Sequence, residues 1–132
     1  MQKGMVDMVI VGSDRTTLTG DVCNKIGTYK TALAAFDNRI PFYAAVPLSS
    51  FDLSMKDGVK EIPVEERSPD EIKFAEYFEE GKIHKGLITF DKVKIRNFGF
   101  DITPSKYVSG IITERGVVKP NEKSIRKLFR YR

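Results

Sequence analysis

Apolar positions follow different rhythms in successive parts of this chain, and each rhythm predicts an element. From Val6 to Val11 the run VDMVIV is short, β-branched and nearly continuous in apolar character, as in a strand covered on both faces. From Asn24 to Asn38, Ile26, Tyr29, Leu33 and Phe36 recur at helical spacing through an alanine-rich stretch, which predicts a helix stopped at Asn38. A strand over Pro41 to Val46 follows, so that strand, helix and strand form a right-handed parallel crossover unit. Met55 to Ser68, with KDG and Pro63, reads as a long surface connection. A helix is expected from Pro69 to Glu80, started by Ser68, with Ile72, Ala75 and Phe74 or Phe78 inward and Gly81 at its end. Lys82 to Phe98 alternates weakly, as a hairpin or irregular strands would. Thr103, Pro104 and Gly116 mark a further helix over Thr103 to Arg115, with Tyr107, Val108, Ile111 and Ile112 on its apolar face. The expected fold class is α/β, a mostly parallel sheet flanked by helices.

The chemistry concentrates where the first strand meets the first helix, in VGSDRTTLTGDVCNKIGT from Val11 to Thr28. In an open α/β sheet, ligands bind at such junctions, beyond the carboxyl ends of the strands. Gly12 permits a sharp exit, Asp14 stands just past the strand, and Thr19 or Asp21 can cap the helix that comes next. Asn24 and Lys25 then fall in its first turns, where a free amino end favours a phosphate. One carboxyl group, one amide and one ammonium could thus converge on a small anion, with Arg15 beside the acid. Each also has a plainer reading: Asp14 as an Asx-turn residue, Lys25 as a solvated charge, Asp21 as a cap. After the second strand, Ser49, Ser50 and Asp52 in PLSSFDLS can face the same crevice or cap a turn. Cys23 reads as a small buried hydrophobe rather than a nucleophile.

The string around Asp14 resembles the signature of S-methyl-5-thioribose-1-phosphate isomerases, in the wider family that contains the regulatory subunits of the translation initiation factor 2B complex. The resemblance continues through NRIPFYAAVPLSSFDLS, EIPVEERSP and FDITPSKYVSGIITERGVVKP, from Val6 to Pro120, and is weakest between Ile72 and Lys94. The Asp14-Arg15 pair and GDVCNKIGT resemble the isomerase branch more than the initiation-factor branch. Ser13, the TTLT run at Thr16 to Thr19, and Phe98 depart from the family pattern. The resemblance implies a partial Rossmann-like domain over residues 1–120, followed by a basic tail over 121–132. It implies an aldose-ketose isomerase acting on S-methyl-5-thioribose 1-phosphate, with Asp14 as the proton donor and Asn24 and Lys25 contacting substrate. The family's catalytic cysteine lies in a segment upstream of anything present here. The chain is therefore expected to be the carboxyl-terminal piece of an isomerase, inactive by itself. The other branch implies a non-catalytic regulatory module binding sugar phosphates or nucleotides.

At 132 residues, 41% of them hydrophobic, the chain suffices for one domain. A sheet begun halfway would leave a flank of Val6–Val11 or of Pro41–Val46 unpaired, so a complementary amino-terminal chain or a second copy is expected as partner. Lys119 to Arg132 holds six basic residues against Glu122, a net of +5 in a chain of +4. Such a tail can bind nucleic acid or an anionic surface. Ile125, Leu128 and Phe129 nevertheless share a helical face, which favours a docked amphipathic helix. The acids Glu61, Glu65 and Glu66 lack a histidine or cysteine cluster beside them, so no metal site is expected, and no cofactor is implied. No secretory leader or membrane-length apolar run is visible, and the single cysteine forms no internal disulfide, which points to a reducing cytoplasm.

Overall fold

In the computed structural model, which describes residues 1–130, the first apolar run yields the short strand β1 (Val9–Val11). The polar segment after it is not the loop expected before a helix. It folds into a hairpin of β2 (Arg15–Thr17) and β3 (Val22–Lys25), because Thr16, Thr17 and Val22 are β-branched and bury their side chains. Its turn is closed by Gly20 N–H donating to Thr17 O (3.0 Å) and Thr17 N–H to Asp21 O (3.0 Å). Gly20 has φ +92, and a Cβ there would lie 2.6 Å from Pro120.

The helix α1 (Thr28–Asp37) therefore starts later than the expected Asn24, and neither Thr19 nor Asp21 caps it. It ends as Asn38 suggested, with Ile40 N–H bonded to Ala35 O and Arg39 N–H to Phe36 O while Arg39 takes φ +57, the Schellman arrangement. β4 (Phe42–Ala45) occupies the second predicted strand and pairs in parallel with β1. A 3-10 turn at Leu48–Ser50 leads to β5 (Phe51–Asp52) and the single-turn helix α2 (Gly58–Glu61).

The helix expected over Pro69–Glu80 is reduced to one turn, α3 (Asp70–Lys73). FAEYFE then forms β6 (Phe74–Glu79), paired with β7 (Lys82–Leu87) across a two-residue turn. Glu80 and Gly81 both have positive φ, as a tight hairpin turn requires, and the aromatic alternation prevails over helix-start signals.

The helix expected over Thr103–Arg115 is absent. β8 (Phe100–Thr103), a 3-10 turn at Ser105–Tyr107, β9 (Gly110–Thr113) and β10 (Gly116–Val118) stand in its place. Pro104 has extended ψ (142°), and Ile111, Ile112 and Thr113 are β-branched residues that complete a sheet beside β4. The basic tail forms α4 (Glu122–Leu128), docked as expected through buried Ile125 and Leu128. Phe129 meets Phe51 edge-on at 5.6 Å. Residues 131–132 of the anticipated tail lie outside the described residues.

Two compact units divide the chain: Met1–Pro63 with Phe100–Arg132, and Val64–Gly99. The first holds two four-stranded sheets, ordered β1-β4-β9-β10 and β5-β2-β3-β8. Among the described residues, parallel pairing is confined to β1-β4-β9 and β2-β5. One face of the β1-β4-β9-β10 sheet supplies Val9, Val11, Phe42, Ala44 and Ile111 to the core, with Ala32 and Ala35 of α1 and Ile125 of α4. The alternate positions, Ile10, Tyr43, Ala45, Ile112 and Val117, make the opposite face, where Ile10 is 54% and Val117 62% exposed. β4 is paired on both sides, so the unpaired flank is the outer edge of β1. The second unit consists of α3, the β6-β7 hairpin and the segment returning to Gly99, held by Gly99 N–H to Glu65 O (2.8 Å) and Arg67 N–H to Asn97 O (2.7 Å).

Candidate functional site

Asp14 sits between β1 and β2, beyond the carboxyl end of β1 as predicted. Its amide donates to Cys23 O (2.9 Å), and the Ser13 hydroxyl donates to the same carbonyl (3.2 Å). Ser13 Oγ also lies 2.9 Å from Thr16 Oγ1. These bonds anchor the loop backbone and leave the Asp14 side chain exposed, with no hydrogen bond or ion pair to it among the described residues.

Asn24 and Lys25 lie in β3 rather than in a helix, which corrects their predicted setting and separates them. Register places Asn24 opposite Asp101 and Lys25 opposite Phe100, on opposite faces of the sheet. Asn24 donates through Nδ2 to Thr28 Oγ1 (3.1 Å), and Thr28 in turn donates to Lys25 O (2.7 Å). Lys25 is exposed, its Nζ 4.7 Å from the centre of the Phe100 ring. Arg15, Cys23, Lys25 and Asp52 share one face of the β5-β2-β3-β8 sheet. Arg15 reaches Asp52 at 3.5 Å, so its guanidinium turns along the sheet toward another acid than Asp14. The Asp52 carboxyl is held below its ordinary range by the Ser54 hydroxyl and amide, with Arg15 adding to the effect.

Asp21 is neither a helix cap nor part of the exposed cluster. Its carboxylate accepts from Gly58 N–H (2.9 Å) and Ser105 N–H (2.8 Å), tying the hairpin turn to α2 and to the turn after β8. Ser49 and Ser50 lie in the 3-10 turn before β5, and Ser50 N–H donates to Pro47 O. Cys23 is buried, and burial pushes its thiol above the ordinary value, with the Asp14 charge adding and Arg15 opposing. A thiol so placed stays protonated at neutral pH, as expected of a packing residue.

Asp101, in the FDITP segment, organises the corner after Lys25. Gly27, at φ +103, begins α1 with no side-chain cap of its own. Asp101 supplies the acceptors from β8, taking Gly27 N–H at 2.7 Å and Tyr29 N–H at 3.0 Å. The signal was the FDITP acid, whose strand position became legible only with β8 beside β3. Among the described residues no cluster of three His, Cys, Asp or Glu side chains is placed to hold a metal, and no helix is long and apolar enough to cross a membrane.

A methylthioribose-1-phosphate isomerase of Sulfurimonas denitrificans is 53% identical over 131 residues, which cover 98% of this chain and 36% of that protein. The protein of that name in Desulfatibacillum aliphaticivorans is 52% identical over 129 residues, 98% of this chain and 35% of its own. The crystal structure of 5-methylthioribose 1-phosphate isomerase from Pyrococcus horikoshii superposes with TM-score 0.85 at 46% identity, covering 99% of this chain and 34% of that one. That of the translation initiation factor eIF-2B subunit delta from A. fulgidus gives TM-score 0.82 at 39% identity, covering 98% and 35%. The chain thus spans about a third of the length of these relatives. With residues 1–120 matching it, and with Rossmann-like neighbours of both branches, the chain belongs to the Initiation factor 2 subunit family.

Proposed function

We propose that this chain is one part of an aldose-ketose isomerase that converts S-methyl-5-thioribose 1-phosphate to S-methyl-5-thioribulose 1-phosphate, and that it turns over only when a second polypeptide body covers it. The observation that carries this reading is Asp14, an exposed carboxylate that the fold does not consume, set beyond a parallel strand in a chain 52–53% identical to proteins named for that reaction. A sugar phosphorylated on its anomeric oxygen cannot open spontaneously to an aldehyde. The ring oxygen must be protonated as its bond to the anomeric carbon breaks, and hydrogen must then move between adjacent carbons.

Asp14 is the proton donor in this reading, and Asn24 and Lys25 contact the phosphosugar. A carboxylic acid that donates a proton at neutral pH needs desolvation. Asp14 is open to solvent, so the covering body would supply that dry wall. Two unsatisfied surfaces support its existence: the unpaired edge of β1 and the apolar sheet face of Ile10, Tyr43 and Val117. A homodimer or a complementary amino-terminal chain would cover them. The single buried cysteine suits a reducing cytoplasm.

The similarity to the eIF-2B delta structure favours a second reading, a non-catalytic module that binds a sugar phosphate or nucleotide. One experiment separates the two. The chain is combined with the amino-terminal remainder of the Sulfurimonas relative and assayed for ketose formation from methylthioribose 1-phosphate. Turnover on mixing, lost by about two to four orders of magnitude in Asp14→Asn, is the expected result. Turnover by the chain alone, or full activity in Asp14→Asn, refutes the proposal. Ligand binding without turnover in the mixture supports the binding module.

A further inference from the structure

We propose that the groove between the outer edge of β10 and helix α4 is a docking site for an extended acidic segment of a partner protein, which adds to the sheet as a further strand. The sheet ordered β1-β4-β9-β10 has two open edges, β1 and β10. A chain that pairs with β1 sits at the opposite end of the sheet, so β10 stays available. Thr113 and Gly116 close the β9-β10 hairpin, and bonded and non-bonded pairs alternate along an antiparallel ladder. Val117, opposite Ile112, is therefore a non-bonded position whose N–H and C=O turn away from β9, and neither group has a hydrogen-bond partner among the described residues.

The sides of the groove decide what can enter. Its volume is about 700 Å³, and Val118 and Leu128 contribute apolar lining while Arg115, Lys119 and Lys127 contribute cations. Arg115 donates to Leu128 O, which ties the hairpin turn to the end of α4 and holds the two walls together. Lys119 and Lys127 are exposed and form no ion pair among the described residues. The acids of the same segments are already engaged: Glu114 accepts the Leu48 N–H, and Glu122 pairs with Arg126. The groove therefore carries uncompensated positive charge.

An added strand exchanges main-chain hydrogen bonds with Val117 and sets alternate side chains beside Val118 and Leu128. Acidic residues in it meet Lys119 and Lys127, and a basic strand is repelled. The same charges keep a second copy of β10, which carries identical lysines, from pairing here. Charge thus selects a foreign, acidic occupant over self-pairing. The inference stands apart from catalysis and does not depend on Asp14.

The test is fluorescence anisotropy of the full chain with a labelled, capped peptide of about seven residues alternating glutamate and valine, long enough for one strand. It is compared with the same peptide carrying lysine for glutamate, and with two forms N-methylated at one or the other alternate set of amides. The acidic peptide binds saturably and the lysine peptide about tenfold or more weaker. Methylation of one set weakens binding about tenfold and methylation of the other leaves it within about twofold, because only one edge of the guest strand faces β10. The paired change Lys119→Glu with Lys127→Glu weakens the acidic peptide about tenfold, and so does Val117→Pro, which removes an N–H that the native ladder does not use. Far-UV circular dichroism checks that both variants fold, and the methylated peptides test the edge with the wild-type chain alone. No saturation by about 1 mM, equal binding of acidic and lysine peptides, or equal binding of the two methylated forms would each overturn the proposal. Displacement of the peptide by an equal concentration of single-stranded DNA would reduce the site to a plain basic surface and overturn it as well.

Discussion

Replacing Asp101 with alanine should unlatch the corner between Lys25 and α1. The Asp101 carboxylate accepts the Gly27 and Tyr29 amides at 2.7 and 3.0 Å, and α1 has no other side-chain cap. Hydrogen bonds to a charged acceptor contribute about 1.5–3 kcal/mol each when buried, and loss of a helix cap costs about 0.5–2 kcal/mol. Tyr29 N–H lies near solvent, so water replaces part of its bond and the second contact adds little. The expected loss is about 2–3 kcal/mol for Asp101→Ala, and about half that for Asp101→Asn, which keeps one acceptor but loses the charge that favours a helix amino end. Urea unfolding followed by circular dichroism should show a lower midpoint at unchanged slope. In thermal unfolding the alanine variant should melt about 6–12 °C lower. A midpoint for Asp101→Ala within error of wild type would refute the latch. Equal losses in Asn and Ala would refute the division between paired acceptors and charge.

Gly20→Ala should cost about 2–4 kcal/mol, since a positive φ alone costs about 1–3 kcal/mol and the new Cβ would strike Pro120 at 2.6 Å; chemical denaturation that shows less than about 1 kcal/mol would contradict this. Burial raises the Cys23 thiol, so the folded chain holds that proton more tightly than the unfolded one. Its stability contribution is complete below the unfolded thiol value of about 8.5 and falls as pH climbs through the folded value. Cys23→Ala should flatten this alkaline loss, and identical pH-stability profiles for the two proteins would rule the effect out.

The strands nearest the first apolar run were legible because their side-chain periods coincide with burial, whereas α1 was read from Ile26, Tyr29, Leu33 and Phe36, of which Ile26, Tyr29 and Phe36 are exposed, and it buries its small residues instead. Val9 and Val11 face the core, and Ala32 and Ala35 lie on the buried side of α1. The segment Asp14 to Lys25 was misread because its polar threonines look like loop residues. Thr16 and Thr17 are in fact fully buried strand positions, and Thr17 Oγ1 accepts the Asp21 amide. Thr103-Pro104 looks like a helix start, yet β8 and β9 find partners in β3 and β4 that no local pattern reveals. Tertiary pairing outweighs a cap signal worth about 1 kcal/mol. Of the site, the placement of Asp14 past β1 was legible. The sharing of a sheet face by Arg15, Cys23, Lys25 and Asp52 depends on strand register and was not.

The larger unit is discontinuous, and this governs what a ribosome must release before the fold can close. β4 takes its neighbour from β9, β3 takes its neighbour from β8, and Ile125 of α4 completes the same core. At about 5–20 residues per second, the early strands wait on the order of several seconds for their late partners to be synthesised. During that interval the apolar faces of β1 and β4 lie bare, so nascent-chain chaperones have a defined window and a defined pair of strands to protect.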